Sequence, residues 1–280
     1  MRSLNVKQSK AIVNILVYAI MIIAFLIYLV PIWYIISTSF KLDKDAYTLP
    51  PPIIFKPTLA NYITAFTSRG ITVNFVNSLI ISIISSVIAM IFGVMAAYAL
   101  SRFDFKAKGG IYNWILSTRI APPMVAAIPY FVLSRQIGIY DTTLLMIIVY
   151  VLINLSWVIW MMGSYFNDVP KEIDEASMVD GCNRLNAFLK VILPVSKPGL
   201  AAAMIFSLIM AWNEYFFALL LTSVNAKTLP AAITSFQSIQ GLLLGQMCAT
   251  GTVVMLPILV FSMFMQRELV SGLTLGAVKG

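Results

Sequence analysis

The stretch PKEIDEASMVDGCNRLNAFLKVILP, residues 170–194, is the most informative part of the chain. It is polar, it lies between two long hydrophobic segments, and no comparable insert separates any other pair of such segments. Its apolar residues, among them Ile173, Val179 and Phe188, have no membrane to enter. The stretch is therefore predicted to be an element that docks against another protein.

The first half of this stretch has the pattern of a helix. Asn167 or Asp168 is predicted to cap it, and Pro170 suits its first turn. Glu172, Asp174 and Glu175 favour the positive end of the helix dipole. These features predict a helix that begins close to the membrane.

The second half is predicted to turn and form another helix. Gly181 allows a sharp change of direction at the end of the first helix. A second helix is expected from about Asn183 to Val191, and Leu193-Pro194 is expected to end it. The alternative is an ordinary loop whose acidic residues are solvated and only cap a helix.

Composition places the chain among membrane proteins. Of its 280 residues 60% are hydrophobic and only 11% are charged, whereas a soluble domain is about one quarter charged. The net charge of +8 is typical of cytoplasmic loops that meet anionic lipid, and we expect no nucleic acid partner. Histidine is absent, which excludes His-based catalysis, and no catalytic or metal-binding residue is predicted.

Six stretches are long and apolar enough to span a bilayer as helices, which needs about 20 residues. The chain is predicted to be one all-α transmembrane domain, residues 1–280, with spans at 12–36, 73–100, 111–133, 144–165, 200–221 and 248–265. The first stretch is too long for a signal peptide and ends in Trp33 and Tyr34, so we expect a retained helix. One short helix is expected near Asn61–Phe66.

The basic residues predict the orientation of these spans. With the N-terminus inside, the inner segments hold 12 of the 19 basic residues: Arg2, Lys7, Lys10, Arg102, Lys106, Lys108, Lys171, Arg184, Lys190, Lys197, Arg267 and Lys279. The outer segments hold 6: Lys41, Lys44, Lys56, Arg69, Arg135 and Lys227. Both termini and the 170–194 stretch are therefore predicted to be cytoplasmic in a multi-pass plasma membrane protein.

The spacing in residues 170–194 resembles the EAA loop of importer-type ABC permeases. That pattern is E-A-A, three residues, G, nine residues, I, one residue, L-P. Glu175-Ala176-Ser177, Gly181, Val191 and Leu193-Pro194 match it without gaps. Ser177 replaces the second alanine and Val191 replaces isoleucine, and both changes are small.

Other segments resemble the carbohydrate branch of this family, in particular the shorter permease subunit of maltose- and trehalose-type importers. They are 77–79 (NSL), 96–102 (AAYALSR), 211–214 (AWNE), 272–274 (GLT) and 276–280 (GAVKG). The resemblance implies a type I importer permease fold and a heterodimer with a second, homologous permease. It also implies two cytosolic ATP-binding cassette subunits and an extracytoplasmic sugar-binding protein. The chain has no phosphate-binding loop of its own, so ATP is expected to be used by the partner subunits and this chain is not expected to be an enzyme.

The resemblance also implies the residues that meet the ATPase. The coupling residues are expected to be Glu172, Glu175, Ala176, Ser177, Asp180, Gly181, Leu193 and Pro194. The C-terminal tail is expected to reach the ATPase interface through Lys279 and Gly280, along an extended or turning path.

Two ionisable residues, Arg119 and Glu214, fall within the predicted spans, where charge is costly and often functional. Each could lie on the translocation path or make a structural contact between helices. Sugars bind aromatic faces together with amide and hydroxyl groups. The candidate pathway residues on this ground are Asn154, Trp157, Trp212, Asn213, Glu214 and Tyr215, although aromatic residues in membrane helices more often pack.

Two other function classes remain open. An ion-coupled secondary transporter would use acidic residues near the midplane, and only Glu214 is available there. A membrane-embedded enzyme would need a nucleophile, base or metal set, and none is found. Within the importer class, a non-sugar solute such as a polyol phosphate is the alternative to a sugar.

Overall fold

The computed structural model describes residues 6–68, 70–238 and 241–277, and most of them are helical. The elements follow in this order: α1 (Val6–Ser39), α2 (Asp43–Ala46), α3 (Ala60–Ser68), α4 (Ile71–Arg102), α5 (Lys108–Ile120), α6 (Pro123–Ile137), α7 (Thr143–Asp168), α8 (Lys171–Val179), α9 (Arg184–Ala187), a π-helical turn (Phe188–Ile192), α10 (Leu193–Val195), α11 (Lys197–Asn213), α12 (Phe216–Leu221), α13 (Leu229–Ala232), a 3₁₀ turn (Ile233–Phe236), β1 (Gln237–Ser238), β2 (Gly241–Leu242) and α14 (Leu244–Ala277).

The long helices agree with the predicted spans. Within the described ranges four helical segments can each cross a bilayer, and the number rises to six if two bent helix pairs each count as one span. The four are Ile12–Ser39, Ile71–Arg102, Thr143–Asp168 and Leu244–Met263. The all-α polytopic prediction is confirmed, apart from the two-residue antiparallel pair of β1 and β2.

The third predicted span, 111–133, is not one straight helix. It is divided between α5 and α6, whose axes differ in direction by 90°. Ala121 and Pro122 between them are extended, with ψ of 131° and 132°. A proline disfavours helical backbone in the residue before it and cannot donate a backbone hydrogen bond, so Pro122-Pro123 breaks the span.

The fifth predicted span, 200–221, is also broken. α11 ends at Asn213, Glu214 is extended with ψ of 122°, and α12 begins at Phe216. At its other end α11 meets the segment Arg184–Val195 at 79°, which turns the chain sharply at Ser196. The sequence predicted the apolar extent of this span and missed its interruption.

The larger compact unit comprises Gly70–Thr234 and Val254–Gly280, and its core is formed by α4, α7 and α11. α4 and α7 approach closely at Gly93, where an added Cβ would lie 2.7 Å from Cγ1 of Val158. α11 approaches α7 closely at Gly199, where a Cβ would lie 2.6 Å from Cδ2 of Tyr165. Small residues at these two points let the helix backbones come together.

The smaller compact unit comprises Met1–Arg69 and Ser235–Val253. The short helix expected near Asn61–Phe66 is present as α3, and the Asn61 amide donates to the carbonyls of Ser39 and Lys41 at 3.0 and 2.7 Å. None of the most apolar window of Ile12–Ser39 is buried within the chain. α1 therefore presents apolar side chains to lipid or to another protein.

The C-terminal region is helical further than expected. α14 continues to Ala277, so residues 273–277 do not follow the extended or turning path that the sequence suggested. Glycines at 272 and 276 are tolerated because helix interiors accept glycine at a cost of only about 1 kcal/mol. Lys279 and Gly280 lie outside the described residues.

Candidate functional site

The first helix of the 170–194 stretch is α8, and it ends as the sequence predicted. Gly181 has φ of +90°. The N–H of Cys182 donates to the carbonyl of Ser177 at 3.0 Å, and the N–H of Gly181 donates to that of Met178 at 3.1 Å. These two bonds form a Schellman motif, which satisfies the last carbonyls of the helix and reverses the chain.

The start of α8 differs from the prediction. Asn167 and Asp168 belong to the last turn of α7 and do not cap α8. Val169 is extended, and Pro170 takes the cap position with ψ of 136°. The preceding membrane helix thus extends further than expected, because its polar end continues the helical hydrogen bonding to Asp168.

The second half of the stretch begins with a side-chain cap and continues past its proline. Asn183 accepts a hydrogen bond from the N–H of Asn186 at 2.8 Å. Leu193-Pro194 was expected to end the helix, but α10 carries it on to Val195. A π-helical turn precedes this point and the N–H of Leu193 donates to Phe188 O, five residues back. This wider turn accommodates a proline, which cannot donate.

A buried ion pair fixes α8 to the end of α4. Nε of Arg102 lies 2.8 Å from Oδ2 of Asp174, and the two side chains are only 4% and 9% exposed. The Tyr98 hydroxyl donates to Oδ1 of Asp174 at 2.7 Å. The same arginine donates to the carbonyls of Phe166 and Val169, both at 2.9 Å. One guanidinium therefore joins α8 to the ends of α4 and α7.

Aromatic packing reinforces this attachment, which we call the Asp174 anchor (Tyr98, Arg102 and Asp174). The ring of Tyr98 lies 4.6 Å from that of Phe188 and 5.8 Å from that of Phe166, measured between centroids. The anchor was not predicted from the sequence, because Asp174 was expected to act on the helix dipole and Arg102 was counted only among the basic residues that set the orientation. One clue was available: Asp174 and Ser177 are three residues apart and share the side of α8 opposite to Glu175.

The predicted coupling residues divide between the two sides of α8. Ser177 faces inward and is buried, and its hydroxyl donates to the carbonyl of Asp174 at 2.7 Å. The exposed residues among them are Glu172, Glu175, Ala176, Asp180, Gly181 and Pro194, while Leu193 is half-buried. Beside them Val179 and Leu185 are 87% and 60% exposed. We call the exposed surface of residues 175–185 the coupling face.

The candidate pathway residues do not form one lining. Trp212 is buried, its indole N–H donates to the carbonyl of Val254 at 3.0 Å, and its ring packs edge-on to Phe75. Asn154 is also buried in this conformation. Asn213 and Tyr215 are exposed. As placed here, neither Trp212 nor Asn154 presents its side chain to a passing solute.

Glu214 has a structural role that the sequence left open. Its carboxylate oxygens accept from the backbone N–H groups of Phe217 and Ala218 at 2.9 and 3.2 Å. Its carbonyl accepts from the Tyr150 hydroxyl at 3.2 Å. The carboxylate therefore caps the first turn of α12 and compensates for the break in the span.

Arg119 lies in the last turn of α5, against aromatic side chains of α7. Its guanidinium carbon is 4.3 Å from the ring centroid of Trp157 and 5.8 Å from that of Trp160. Trp157 also packs edge-on to Phe206. The indole that was a candidate sugar platform thus already carries a cation on its face.

A separate clamp holds the loop 222–228 that is predicted to be outside. Asp141 has a backbone φ of +58°. Its carboxylate accepts hydrogen bonds from the N–H groups of four successive residues, Ser223, Val224, Asn225 and Ala226, at 2.8 to 3.2 Å. Burial opposes its ionisation, yet these donors hold the pKa of the Asp141 carboxyl below its usual value.

The residues 77–79 that carried part of the resemblance belong to the same clamp. The Asn77 amide donates to the carbonyls of Asn225 and Lys227 at 2.9 and 3.2 Å. The Ser78 hydroxyl accepts from the N–H of Leu229 at 2.7 Å. Loop 222–228 is therefore held in one conformation by α4 and by the turn before α7.

In the part of the chain that the structure describes, no group of three or more Cys, Asp or Glu side chains could hold a metal ion. Both cysteines are free: Cys182 is half-buried in the turn after α8, and Cys248 is buried in α14. The chemistry that this geometry offers is contact and attachment, centred on the coupling face.

Comparison with known proteins agrees with this geometry. Residues 89–274 match the family model described as binding-protein-dependent transport system inner membrane component. The trehalose transport system permease protein SugB of Mycobacterium tuberculosis is 35% identical over 258 residues, which cover 90% of this chain and 93% of that protein. The diacetylchitobiose uptake system permease protein DasC of Streptomyces coelicolor is 32% identical over 254 residues, covering 89% and 91%.

A solved structure shares the fold. One chain in the crystal structure of a bacterial ABC transporter involved in the import of the acidic polysaccharide alginate has a TM-score of 0.76 to this chain. The match covers 95% of this chain and 98% of that chain at 22% identity. The likeness extends over nearly the whole length of both chains.

Proposed function

The chain belongs to the family of binding-protein-dependent transport system inner membrane components, and on that premise we propose that it is a permease subunit of an ATP-driven sugar importer. It forms half of the translocation pathway and couples to a cytosolic ATPase through residues 170–194. ATP is bound and hydrolysed by the partner and not by this chain.

The observation that carries this proposal is the Asp174 anchor beneath an exposed coupling face. A helix that is free on one side and fixed by a buried ion pair on the other can transmit a displacement. Arg102 passes such a displacement to the end of α4 and, through the carbonyls of Phe166 and Val169, to the end of α7. Movement of an ATPase that held the coupling face would therefore move the membrane helices.

A carbohydrate is the solute class that the relatives favour. SugB is named for trehalose and DasC for diacetylchitobiose, both of which are carbohydrates. The tail residues 272–280 resemble the same branch. An ion-coupled secondary transporter gains no support, since the Glu214 carboxylate already accepts two backbone hydrogen bonds.

The proposed assembly contains a second homologous permease, two ATP-binding cassette subunits, an extracytoplasmic sugar-binding protein and membrane lipid. The uncovered apolar surface of Ile12–Ser39 supports contact with the second permease or lipid. Both termini are proposed to be cytoplasmic, as the 12-to-6 distribution of basic residues indicates. Contact of Lys279 and Gly280 with the ATPase stays a prediction.

The topology can be tested by cysteine labelling. In a background lacking Cys182 and Cys248, Ala176→Cys is expected to react with a membrane-impermeant thiol reagent only after the cells are permeabilised. Ala176 suits the test because it is exposed on α8, whereas Ser177 is buried. Val224→Cys, at a residue 74% exposed in the outer loop, is the matched control and should react in intact cells. Labelling of Ala176→Cys in intact cells would overturn the orientation.

Gly181 can be tested with two substitutions that separate backbone strain from contact with the partner. Its φ of +90° disfavours any side chain by roughly 1–2 kcal/mol, and no atom lies within 4 Å of an added Cβ. Gly181→Leu is expected to abolish uptake and weaken ATPase co-purification, while the permease still inserts. Gly181→Asn, which tolerates positive φ better, should retain more of both. Normal ATPase recruitment and uptake by both variants would contradict the docking role.

A further inference from the structure

Arg119 is a cation within a predicted span, and it has no anionic partner among the described residues. A guanidinium in the centre of a bilayer costs at least about 2.5–3.5 kcal/mol. The described side chains form two ion pairs, Arg102 with Asp174 and Lys108 with Asp104, and neither includes Arg119. Trp157 and Trp160 hold its position through cation–π contacts and provide no hydrogen-bond acceptor.

Two further hydrogen-bond donors lie on one side of α7, and one of them belongs to Trp157, which contacts Arg119. The Trp157 indole N–H and the Asn154 amide N–H₂ are buried, and neither meets an acceptor among the described groups. The two residues are three positions apart and so project from one side of the helix. The indole of Trp212, by contrast, donates to Val254. A buried indole of this chain can therefore find an acceptor, and the indole of Trp157 does not find one among the described groups.

The break between α5 and α6 follows directly after Ile120, close to Arg119. Arg119 is exposed in the chain, and the adjacent Ile120 is 84% exposed. Water or solute on that side would meet the positively charged guanidinium and its N–H groups, which form no ion pair with a carboxylate of the described residues. Hydroxyl oxygens of a neutral sugar could accept these hydrogen bonds but would leave the charge uncompensated.

We infer that Arg119, held on Trp157, lines the translocation path and favours solutes that carry an anionic group, such as a sugar with a carboxylate, sulfonate or phosphate substituent. The inference rests on the proposed function, since it assigns a solute class to that path. The cation–π contact fixes the guanidinium, and the N–H groups of this guanidinium can donate to the oxyanion acceptors of such a solute.

The test uses the complete reconstituted transporter, with this chain lacking Cys182 and Cys248. Leu116→Cys lies one turn from Arg119 on the same side of α5, and Ile120→Cys lies next to it. Each is treated with an anionic and a cationic methanethiosulfonate of similar size. The ratio of the two reaction rates reports the local potential without requiring the natural solute.

We expect at least one of these cysteines to react from water, with a preference for the anionic reagent. Arg119→Gln should lower the anionic-to-cationic rate ratio about tenfold, because the two reagents differ by two charges near the lost cation. Arg135→Gln is the matched control: its guanidinium also lies on an aromatic ring, 3.9 Å from the Tyr140 centroid, and its loss should leave the ratio unchanged.

Three results would overturn the inference. If neither cysteine reacts in any nucleotide state, Arg119 faces lipid or a partner helix. An unchanged ratio in Arg119→Gln shows that its charge is neutralised, for example by an acidic residue of the second permease. An equal fall with Arg135→Gln shows a diffuse field. ATP-driven uptake by the same proteoliposomes reports separately on the importer function, so the two failures are distinguishable.

Discussion

Arg102→Met is expected to reduce ATP-driven uptake at least about tenfold while the permease remains in the membrane. The substitution leaves the buried Asp174 carboxylate without its counter-ion and removes the donors to Phe166 and Val169. Breaking one side of a buried ion pair costs about 3–5 kcal/mol. α8 should then separate from the end of α4, so that ATP hydrolysis no longer drives transport. The measurement is uptake per ATP hydrolysed in proteoliposomes.

Lys108→Met is the matched control for this prediction. It removes the lysine of a nearby ion pair, in which Nζ of Lys108 lies 3.0 Å from Oδ1 of Asp104. This ion pair is exposed and joins residues four positions apart in the chain. Such pairs contribute only about 0.3–0.5 kcal/mol, so uptake should change little. Wild-type coupling by Arg102→Met, or an equal loss in both variants, would contradict the role of the anchor.

Two companion variants separate the ion pair from general misfolding. Tyr98→Phe removes one hydroxyl donor to Asp174 and keeps the ring against Phe188, so an intermediate loss of coupling is expected. Combining Arg102→Met with Asp174→Leu removes both charges, which is often tolerated in a buried site. The double variant should let α8 pack against the end of α4 again and should therefore recover part of the uptake relative to Arg102→Met alone.

Hydropathy was sufficient to predict the four candidate spans that are single helices, because lipid exposure requires long apolar helices whatever their partners. It did not show that the other two predicted spans, 111–133 and 200–221, are interrupted. The break at Pro122-Pro123 has a local cause that the sequence contains. The break at Glu214 depends on a carboxylate that accepts the N–H groups of Phe217 and Ala218, a choice between helix and cap that periodicity does not reveal.

The two helices of residues 170–194 and the turn between them were predictable in outline, because the signals for them are local. Gly181 and Asn183 act through local backbone geometry, so the turn and the second cap could be expected from neighbouring residues. The Asp174 anchor joins residues 76 positions apart in the chain, from Tyr98 to Asp174. Such a pairing exists only in the folded chain. In the sequence, Asp174 is explained by its position near the positive end of a helix dipole, and Arg102 by the excess of basic residues in cytoplasmic segments.

The pathway residues were the least predictable part. The sequence identified side chains with suitable chemistry for a sugar, but burial decides which of them can meet one. Trp212 packs against Phe75 and donates to Val254, and the face of Trp157 is covered by Arg119. Polar and aromatic composition at membrane depth does not distinguish a lining residue from a packed one.

The chain is expected to transport nothing without a second permease. The four to six candidate spans of its described residues carry one coupling face and therefore one ATPase contact, whereas a switch driven by nucleotide needs two opposed ATPases. None of the most apolar window of Ile12–Ser39 is buried within the chain, so a surface for a partner is available. The resemblance to the shorter sugar-importer subunit favours a heterodimer.

Reconstitution in proteoliposomes tests the central claim most directly. The complete set of this chain, a second permease, the ATPase subunits and the binding protein should show ATP-driven sugar uptake, and omission of the second permease alone should abolish it. Omission of ATP from the complete set is the matched control and should also give background uptake. ATP-driven uptake by this chain with only the ATPase and the binding protein would contradict the account and indicate a homodimeric transporter.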